Sequence, residues 1–201
     1  MQRLRTAQLN FDFFEDTPAG LFHTTRPLRK HRSCNDVLQR LSYVRRFFPE
    51  FGSRCIRVGL TRVASGMAVP GGNEIWFNPR EISYHAIAHE FIHLLQGQYG
   101  IPSGERACDL FSMGRHWTLN DMAPYYLRLP KKMHDGEGRI AAAFARRIYD
   151  VAQRALELRR NGLRNYIAFF EKTLTSGEAI GLPPEGVRAA GLPGEKPVAD
   201  L

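Results

Sequence analysis

The segment YHAIAHEFIHLLQ, residues 84–96, combines a helical apolar pattern with the sequence His-Glu-x-x-His. Its apolar side chains recur at steps of three and four residues, which predicts a helix that lies deep in the domain. Two N-terminal caps are open: Asn78, which precedes a proline and a glutamate suited to a first turn, and Ser83. Gly97 or Gly100 is expected to end the helix.

Upstream of this segment, the apolar pattern predicts one helix and a small sheet. Residues 35–48 have a helical apolar period, whereas residues 55–63, CIRVGLTRV, alternate apolar and polar side chains as a strand does. Residues 67–77, MAVPGGNEIWF, contain a Gly-Gly-Asn turn between two short extended pieces. The expected order is therefore a helix, a small sheet and then the His-Glu-x-x-His helix.

Downstream of the segment, three more helices are expected. A short helix contains GERACDLFSM (residues 104–113), a long helix spans about residues 137–161, and LRNYIAFFEKTL (residues 163–174) forms the last one. Together these elements predict an α+β fold. In this fold a small sheet packs on the His-Glu-x-x-His helix, and a glutamate-bearing helix and C-terminal helices follow.

The chain of 201 residues is long enough for one well-buried domain. We expect a single domain over residues 1–175, in which residues 1–32 form an irregular arm, and a flexible Gly/Pro-rich tail over residues 176–201. No apolar run reaches the ~20 residues of a membrane span, and the N-terminus lacks a secretory apolar region. These features predict a cytoplasmic protein without membrane contact.

The spacing of the cysteines and the net charge bear on disulfides, on cysteine metal sites and on binding of nucleic acid. Cys34, Cys55 and Cys108 lie far apart, which argues against a disulfide framework and against a cysteine metal site. The formal net charge is +8, and such a surplus attracts nucleic acid. Binding of nucleic acid through a basic surface therefore stays open.

The His-Glu-x-x-His sequence has a direct chemical meaning on a helix. His89 and His93 lie one turn apart on the same face, so both imidazoles can bind one metal ion. Glu90 lies about 100° around the helix from His89, beside the ion. There it can accept a proton from a metal-bound water and later donate it to a leaving amine. The pattern thus predicts Glu90 as the catalytic base.

A metal site of this kind requires a third protein ligand. Gln96 and Tyr99 stand where a metzincin has a glycine and its third histidine, which excludes that family. His85 lies about 12 Å along the helix axis from His93, too far for both to bind one ion comfortably. Glu105, near the start of the next predicted helix, is the better candidate.

Asp109 follows Glu105 by one turn, so it can accept the second imidazole N–H of a ligating histidine while Glu105 binds the ion. HEFIH followed by ERACD resembles the gluzincin clan of zinc peptidases, and the short interval between them resembles the compact minigluzincins. The resemblance covers about residues 73–114. It implies a zinc-dependent endopeptidase that cleaves peptide or protein substrates, with Zn²⁺ held by His89, His93 and Glu105.

Two other functions stay open. The chain also resembles, more weakly, the SprT-like proteases, which cut proteins attached to DNA and normally use a histidine as third ligand. In that case His116 would replace Glu105. The second alternative is a non-catalytic, zinc-containing module that binds nucleic acid. Intact Glu90 speaks against it, since a structural site is closed by four protein ligands and has no use for a base.

The sequence also contains candidates for two other parts of a peptidase, an oxyanion donor and a strand that binds the substrate. The developing oxyanion needs a donor, and the downstream candidates are Tyr125, Tyr126, His116 and His134. EIWFNP, residues 74–79, resembles the edge strand over which peptidases of this kind lay an extended substrate.

Overall fold

A computed structural model of the protein describes residues 20–176. The predictions for residues 1–19 and for the tail over residues 177–201 therefore lie outside the described residues. The predicted α+β class is confirmed: a small mixed sheet is combined with several helices. Within the described part of the chain, no helix has both the length and the apolar character needed to cross a bilayer.

The sheet has four strands in the order β1-β2-β4-β3. Their bounds are β1 Phe22–Thr24, β2 Ile56–Leu60, β3 Gly66–Ala68 and β4 Glu74–Phe77. β1 and β4 pair with β2 in parallel, whereas β3 pairs with β4 in antiparallel fashion. The expectation that EIWF forms the edge strand was wrong, because β4 is hydrogen-bonded on both sides. β3 is the edge strand next to it.

The two central strands, β2 and β4, place apolar side chains of one face in the core. Ile56 and Val58 of β2 and Ile75 and Phe77 of β4 are fully buried, and Val58 pairs directly with Ile75. The part of the predicted irregular arm that is described is partly regular: it contains β1 and a short helix, α1 (Arg26–Arg29). Apolar alternation over only three residues in β1 is too short a signal to recognise.

The remaining helices follow the predicted order. Their bounds are α2 Cys34–Arg45, α3 Tyr84–Leu95, α4 Glu105–Met113, α5 Ala142–Arg160 and α6 Tyr166–Ser176. Of the two caps left open for α3, the structure has Ser83, whose hydroxyl accepts a hydrogen bond from the amide of Ala86 at 3.0 Å. Residues 78–81 form a turn instead, in which the Glu81 amide donates to the Asn78 carbonyl.

α5 begins five residues later than its apolar period suggested. His134 and Ile140 form an isolated antiparallel bridge, as do Met122 and Arg139. These residues have extended backbone and therefore cannot belong to the first turn of the helix. The bridge between Met122 and Arg139 also ties the loop that follows residue 121 to the rest of the molecule.

Two hydrophobic clusters hold the described residues together. The sheet core joins β2, β4, α2 and α3, and Phe91 of α3 is one of its largest fully buried side chains. The helical core joins α4, α5 and α6. α4 belongs to both, since Cys108 packs in the sheet core whereas Leu110 and Met113 pack in the helical core.

Candidate metal centre

α3 is buried along almost its whole length, and its polar face is made of histidines. His85, His89 and His93 lie at successive turns, and all three are buried. The opposite face carries apolar side chains, such as Phe91, into the sheet core. Close packing of the apolar face in the sheet core fixes the position of α3. The imidazoles on the opposite face are therefore held in place as well.

Three donor atoms converge at the centre of this face. The Nε2 atoms of His89 and His93 lie 3.2 Å apart. Oε2 of Glu105, from the first turn of α4, lies 3.0 Å from Nε2 of His89 and 3.2 Å from Nε2 of His93. The two helices therefore bring the three predicted ligands together in a nearly equilateral triangle of donor atoms.

The second imidazole nitrogens are also engaged. Nδ1 of His89 lies 2.7 Å from Oδ1 of Asp109, as expected for a carboxylate that orients a ligating histidine. Nδ1 of His93 lies 2.9 Å from Oε1 of Gln96, a contact that no sequence pattern indicated. Both rings are thus held so that their Nε2 atoms face Glu105.

Asp109 is fully buried, and its carboxylate has three polar contacts. Besides His89, its Oδ1 lies 3.2 Å from Nε2 of His85, and its Oδ2 accepts a hydrogen bond from the Tyr126 amide at 2.9 Å. Burial alone would raise the pKa of this carboxyl, but hydrogen bonds and charge interactions with His85 and His89 hold it well below its usual range. Asp109 therefore stays ionised and links α3 to the loop that carries Tyr126.

Burial acts to lower the pKa of His89, but its hydrogen bond with Asp109 and the charges of Asp109 and Glu90 outweigh that effect and raise it. The carboxylates around His89 thus favour a positive charge at this position, whether it is a proton or a metal ion.

Glu90 lies beside the donor triangle and lines the same cleft. Burial raises the pKa of its carboxyl to about 7; His89 opposes this, and the charges of Glu105 and Asp109 add to it. The carboxylate has no hydrogen-bond partner among the described residues. A Cβ atom at Gly66 of the edge strand would lie only 2.7 Å from Cγ and Oε1 of Glu90. A glycine at this position leaves room for the Glu90 side chain.

The cleft over these groups has a volume of about 510 Å³. One wall is the edge strand β3 with its flanking loops, the floor is the histidine face of α3, and the other wall is the loop over residues 122–126. That loop is anchored by Asp121, whose carboxylate accepts hydrogen bonds from the amides of Tyr84 and His85 at 2.9 Å each. Asp121 therefore caps the first turn of α3.

The predicted oxyanion donors fall into two groups. Tyr125 and Tyr126 both line the cleft, and the Tyr126 ring stacks on His89 with centroids 5.9 Å apart. His116 lies outside the cleft: its Nδ1 lies 2.8 Å from Oγ1 of Thr118, and its ring stacks on Phe47. His134 lies in a separate shallow pocket beside α5.

Two overlapping groups of side chains at this centre could hold a metal ion: His89 with His93 and Cys108, and His85 with His89 and Asp109. Cys108, which the spacing of the cysteines set aside, is buried with its Sγ 3.4 Å from Nδ1 of His93. Burial raises the pKa of this thiol, and the charges of the nearby carboxylates raise it further. The sequence did contain an indication that Cys108 lies near this centre, because it follows Glu105 by three residues and therefore shares its helix face.

No protein-family model, no curated protein and no solved structure matches this chain. The resemblance to gluzincins and to SprT-like proteases therefore stays a prediction from the sequence motifs.

Proposed function

We propose that the protein is a zinc-dependent endopeptidase in which His89, His93 and Glu105 hold the ion and Glu90 is the general base. The observation that carries the proposal is the donor triangle, with sides of 3.0–3.2 Å. Two ligands bound to Zn²⁺ at about 2.0–2.1 Å in tetrahedral geometry lie about 3.3 Å apart. The triangle therefore has the size that a tetrahedral zinc site requires.

The donor geometry favours this set over the two overlapping groups. Cys108 faces Nδ1 of His93, on the side of the ring away from Glu105. Both oxygens of Asp109 are engaged, one by the imidazoles of His85 and His89 and the other by a backbone amide. Glu105, by contrast, reaches both Nε2 atoms with the same oxygen and is partly exposed toward the cleft.

The ion and the side chains would contribute different parts of the chemistry of peptide-bond cleavage. When bound, Zn²⁺ acts as a Lewis acid that polarises the scissile carbonyl and makes a water molecule more acidic. Glu90 accepts the proton of the attacking water and donates it to the leaving amine. Asp109 keeps His89 in the tautomer whose Nε2 is free to bind. Tyr125 and Tyr126 are the donors in the cleft that can stabilise the developing oxyanion.

The substrate would lie along β3. Among the described residues this strand is paired with β4 on one side only, and its other side lines the cleft together with Glu90. An extended peptide can form main-chain hydrogen bonds with such an edge and requires little of its own side chains. The edge strand thus takes the role that the sequence pattern assigned to EIWF.

The proposal is tested by metal content and cleavage together. We expect the purified full-length chain to contain one zinc per molecule by inductively coupled plasma mass spectrometry, and to cleave a casein-like protein. Chelation should abolish cleavage, and zinc should restore it. A chain that binds zinc but cleaves no peptide or protein at any pH would contradict the peptidase assignment.

The alternatives draw less support from the geometry. A SprT-like site with His116 as third ligand would require that side chain in the cleft, where it does not lie. Two arginines of the long helix α5 lie over aromatic rings, Arg146 over Trp117 and Arg159 over Phe111. Nucleic acid as a partner stays a prediction, to be tested by the salt dependence of DNA affinity.

A further inference from the structure

The cleft has a charge character opposite to that of the chain as a whole. The sequence contains 28 Lys and Arg against 20 Asp and Glu, yet no described Lys or Arg lines the cleft. Its acidic lining residues are Glu81, Glu90, Glu105 and Asp109. A bound Zn²⁺ would offset about two of these negative charges, and the remaining surplus of negative charge attracts cationic ligands.

Three of these carboxylates already have a role in the proposed function. Glu105 and Asp109 contact the imidazoles, and Glu90 is the base. Glu81 is different: it lies at the rim of the cleft, two residues before the Ser83 cap of α3, and is exposed. Its carboxylate has no hydrogen bond or ion pair with any residue in the described part of the chain. It is therefore available to a bound molecule.

We propose that this cleft prefers substrates with a lysine or arginine side chain near the scissile bond, and that Glu81 contacts the cationic group. This inference rests on the proposed endopeptidase function and adds the substrate class. Glu81 would be a specificity-determining residue rather than a catalytic one.

The lining of the cleft fits a long side chain with a charged end. Asp121 binds the first turn of α3, and the two residues that follow it, Met122 and Ala123, line the same cleft as Glu81. Met122, Ala123 and Ala86 supply apolar surface for the methylene groups of lysine or arginine, which are commonly buried while the charged end stays in water. A short cation would leave this apolar wall uncovered.

The expected size of the effect is modest, because Glu81 is exposed. Exposed ion pairs contribute between about 0.2 and 1 kcal/mol, so the preference for lysine over an uncharged side chain of similar length should be up to about fivefold in Kd. Salt screens such pairs, so the preference should shrink at high ionic strength.

The test measures binding rather than cleavage. Fluorescence anisotropy gives the Kd of labelled peptides for the zinc-loaded full-length chain carrying Glu90→Gln, which prevents turnover. Two peptides differ only by lysine or norleucine at one position, and a series moves this position along the peptide. We expect tighter binding of the lysine peptide at one or more positions, loss of that preference in the Glu81→Gln double variant, and a preference for the norleucine peptide in Glu81→Lys.

Glu157→Gln is the matched control, because Glu157 is an exposed carboxylate on α5 that does not line the cleft. It removes the same charge and should keep the preference. Equal affinity for the two peptides at every position, no measurable binding of either, or a preference that survives Glu81→Gln would overturn the inference.

Failure of this inference and failure of the proposed function are distinguishable. Cleavage of casein by the zinc-loaded wild-type chain, combined with equal peptide affinities, would remove only the substrate preference. Selective peptide binding without any cleavage by the wild-type chain would instead remove the peptidase assignment and keep a binding cleft for cationic peptides.

Discussion

The two helices that supply the candidate ligands are held in different ways. In α3 every residue from His85 to Leu95 is buried, and the side chains of His89 and His93 are only 10% and 11% exposed. α4 is also largely buried, but only from Ala107 onward, and the Glu105 side chain at its first turn is 45% exposed. Gly104 precedes it and supplies no side-chain cap.

This difference in burial indicates that the two histidines have fixed positions, whereas the position of Glu105 can adjust. The histidines are placed by packing in the sheet core, which does not depend on a metal ion. Glu105 is placed by the start of a short helix and by its contacts with the imidazoles themselves. Removing a histidine should therefore destroy the centre, whereas removing Glu105 should weaken it.

The largest expected effect tests that distinction directly. His89→Ala and His93→Ala each remove one of two ligands on the fixed helix, and we expect zinc affinity to fall by well over the ~10- to 100-fold typical of a lost supporting contact. Glu105→Ala should lose less affinity than either. Isothermal titration with zinc, in competition with a chelator, measures all three variants. A larger loss for Glu105→Ala than for the histidines would reverse the comparison.

His85→Ala and Cys108→Ala serve as controls for the two overlapping groups. If either loses as much zinc affinity as His89→Ala, the ion lies in the group that contains that residue. Retained zinc in Glu105→Ala together with lost zinc in His116→Ala would instead favour the SprT-like alternative.

Glu90→Gln should separate metal binding from turnover on the fixed helix. The amide cannot accept a proton, so cleavage should fall about 10²- to 10⁴-fold. Zinc content should be unchanged, because Glu90 is not one of the converging donors. Cleavage and zinc content are measured on the same preparation, and loss of zinc in this variant would show that Glu90 supports the ion rather than the water.

Asp109→Asn tests the contact between the two helices. The substitution keeps the shape of the side chain but removes the negative charge that accepts from His89 and from the Tyr126 amide. We expect zinc affinity to fall about 10- to 100-fold. Hydrogen exchange at the Tyr126 amide should become faster, since its acceptor is weakened. Unchanged exchange there would mean that Asp109 does not hold this loop.

Gly66→Ala is expected to have the smallest effect. The added methyl would overlap Glu90, and overpacking of this kind costs about 1–3 kcal/mol unless a flexible side chain moves away. Because Glu90 can rotate, we expect reduced cleavage with a small loss of thermal stability. Val69→Ala, at an exposed position just after the same strand that does not line the cleft, is the control. Equal cleavage by both variants would show that Gly66 is not needed for the position of Glu90.

Local patterns were sufficient to predict much of the candidate site. His89 and His93 share a face because four residues make about one turn, and the same spacing relates Glu105 to Asp109. The apolar period of α3 indicated its deep burial, and this is confirmed. These predictions depend only on residues within a single helix, whose geometry is set by backbone hydrogen bonds between near neighbours.

Predictions that depended on how distant segments of the chain lie relative to one another were correct less often. The period of 137–161 did not reveal the bridge between His134 and Ile140, and the pattern of EIWF did not reveal which neighbour would cover it. His116 and Tyr126 were equivalent candidates in the sequence, yet only Tyr126 lies in the cleft. Nothing local distinguishes two such residues, because their positions depend on the packing of loops.

The sequence by itself predicted His89, His93 and Glu105 as candidate ligands and the helices that carry them, although it set Cys108 aside. Only the tertiary structure decided that Glu105 meets both histidines, that β3 rather than β4 is the edge strand, and that Asp121 caps α3 from 37 residues away. The physical reason is the range of the forces involved. Helical periodicity is a short-range property of the backbone, whereas strand order and the approach of two helices result from burial of apolar surface across the whole domain.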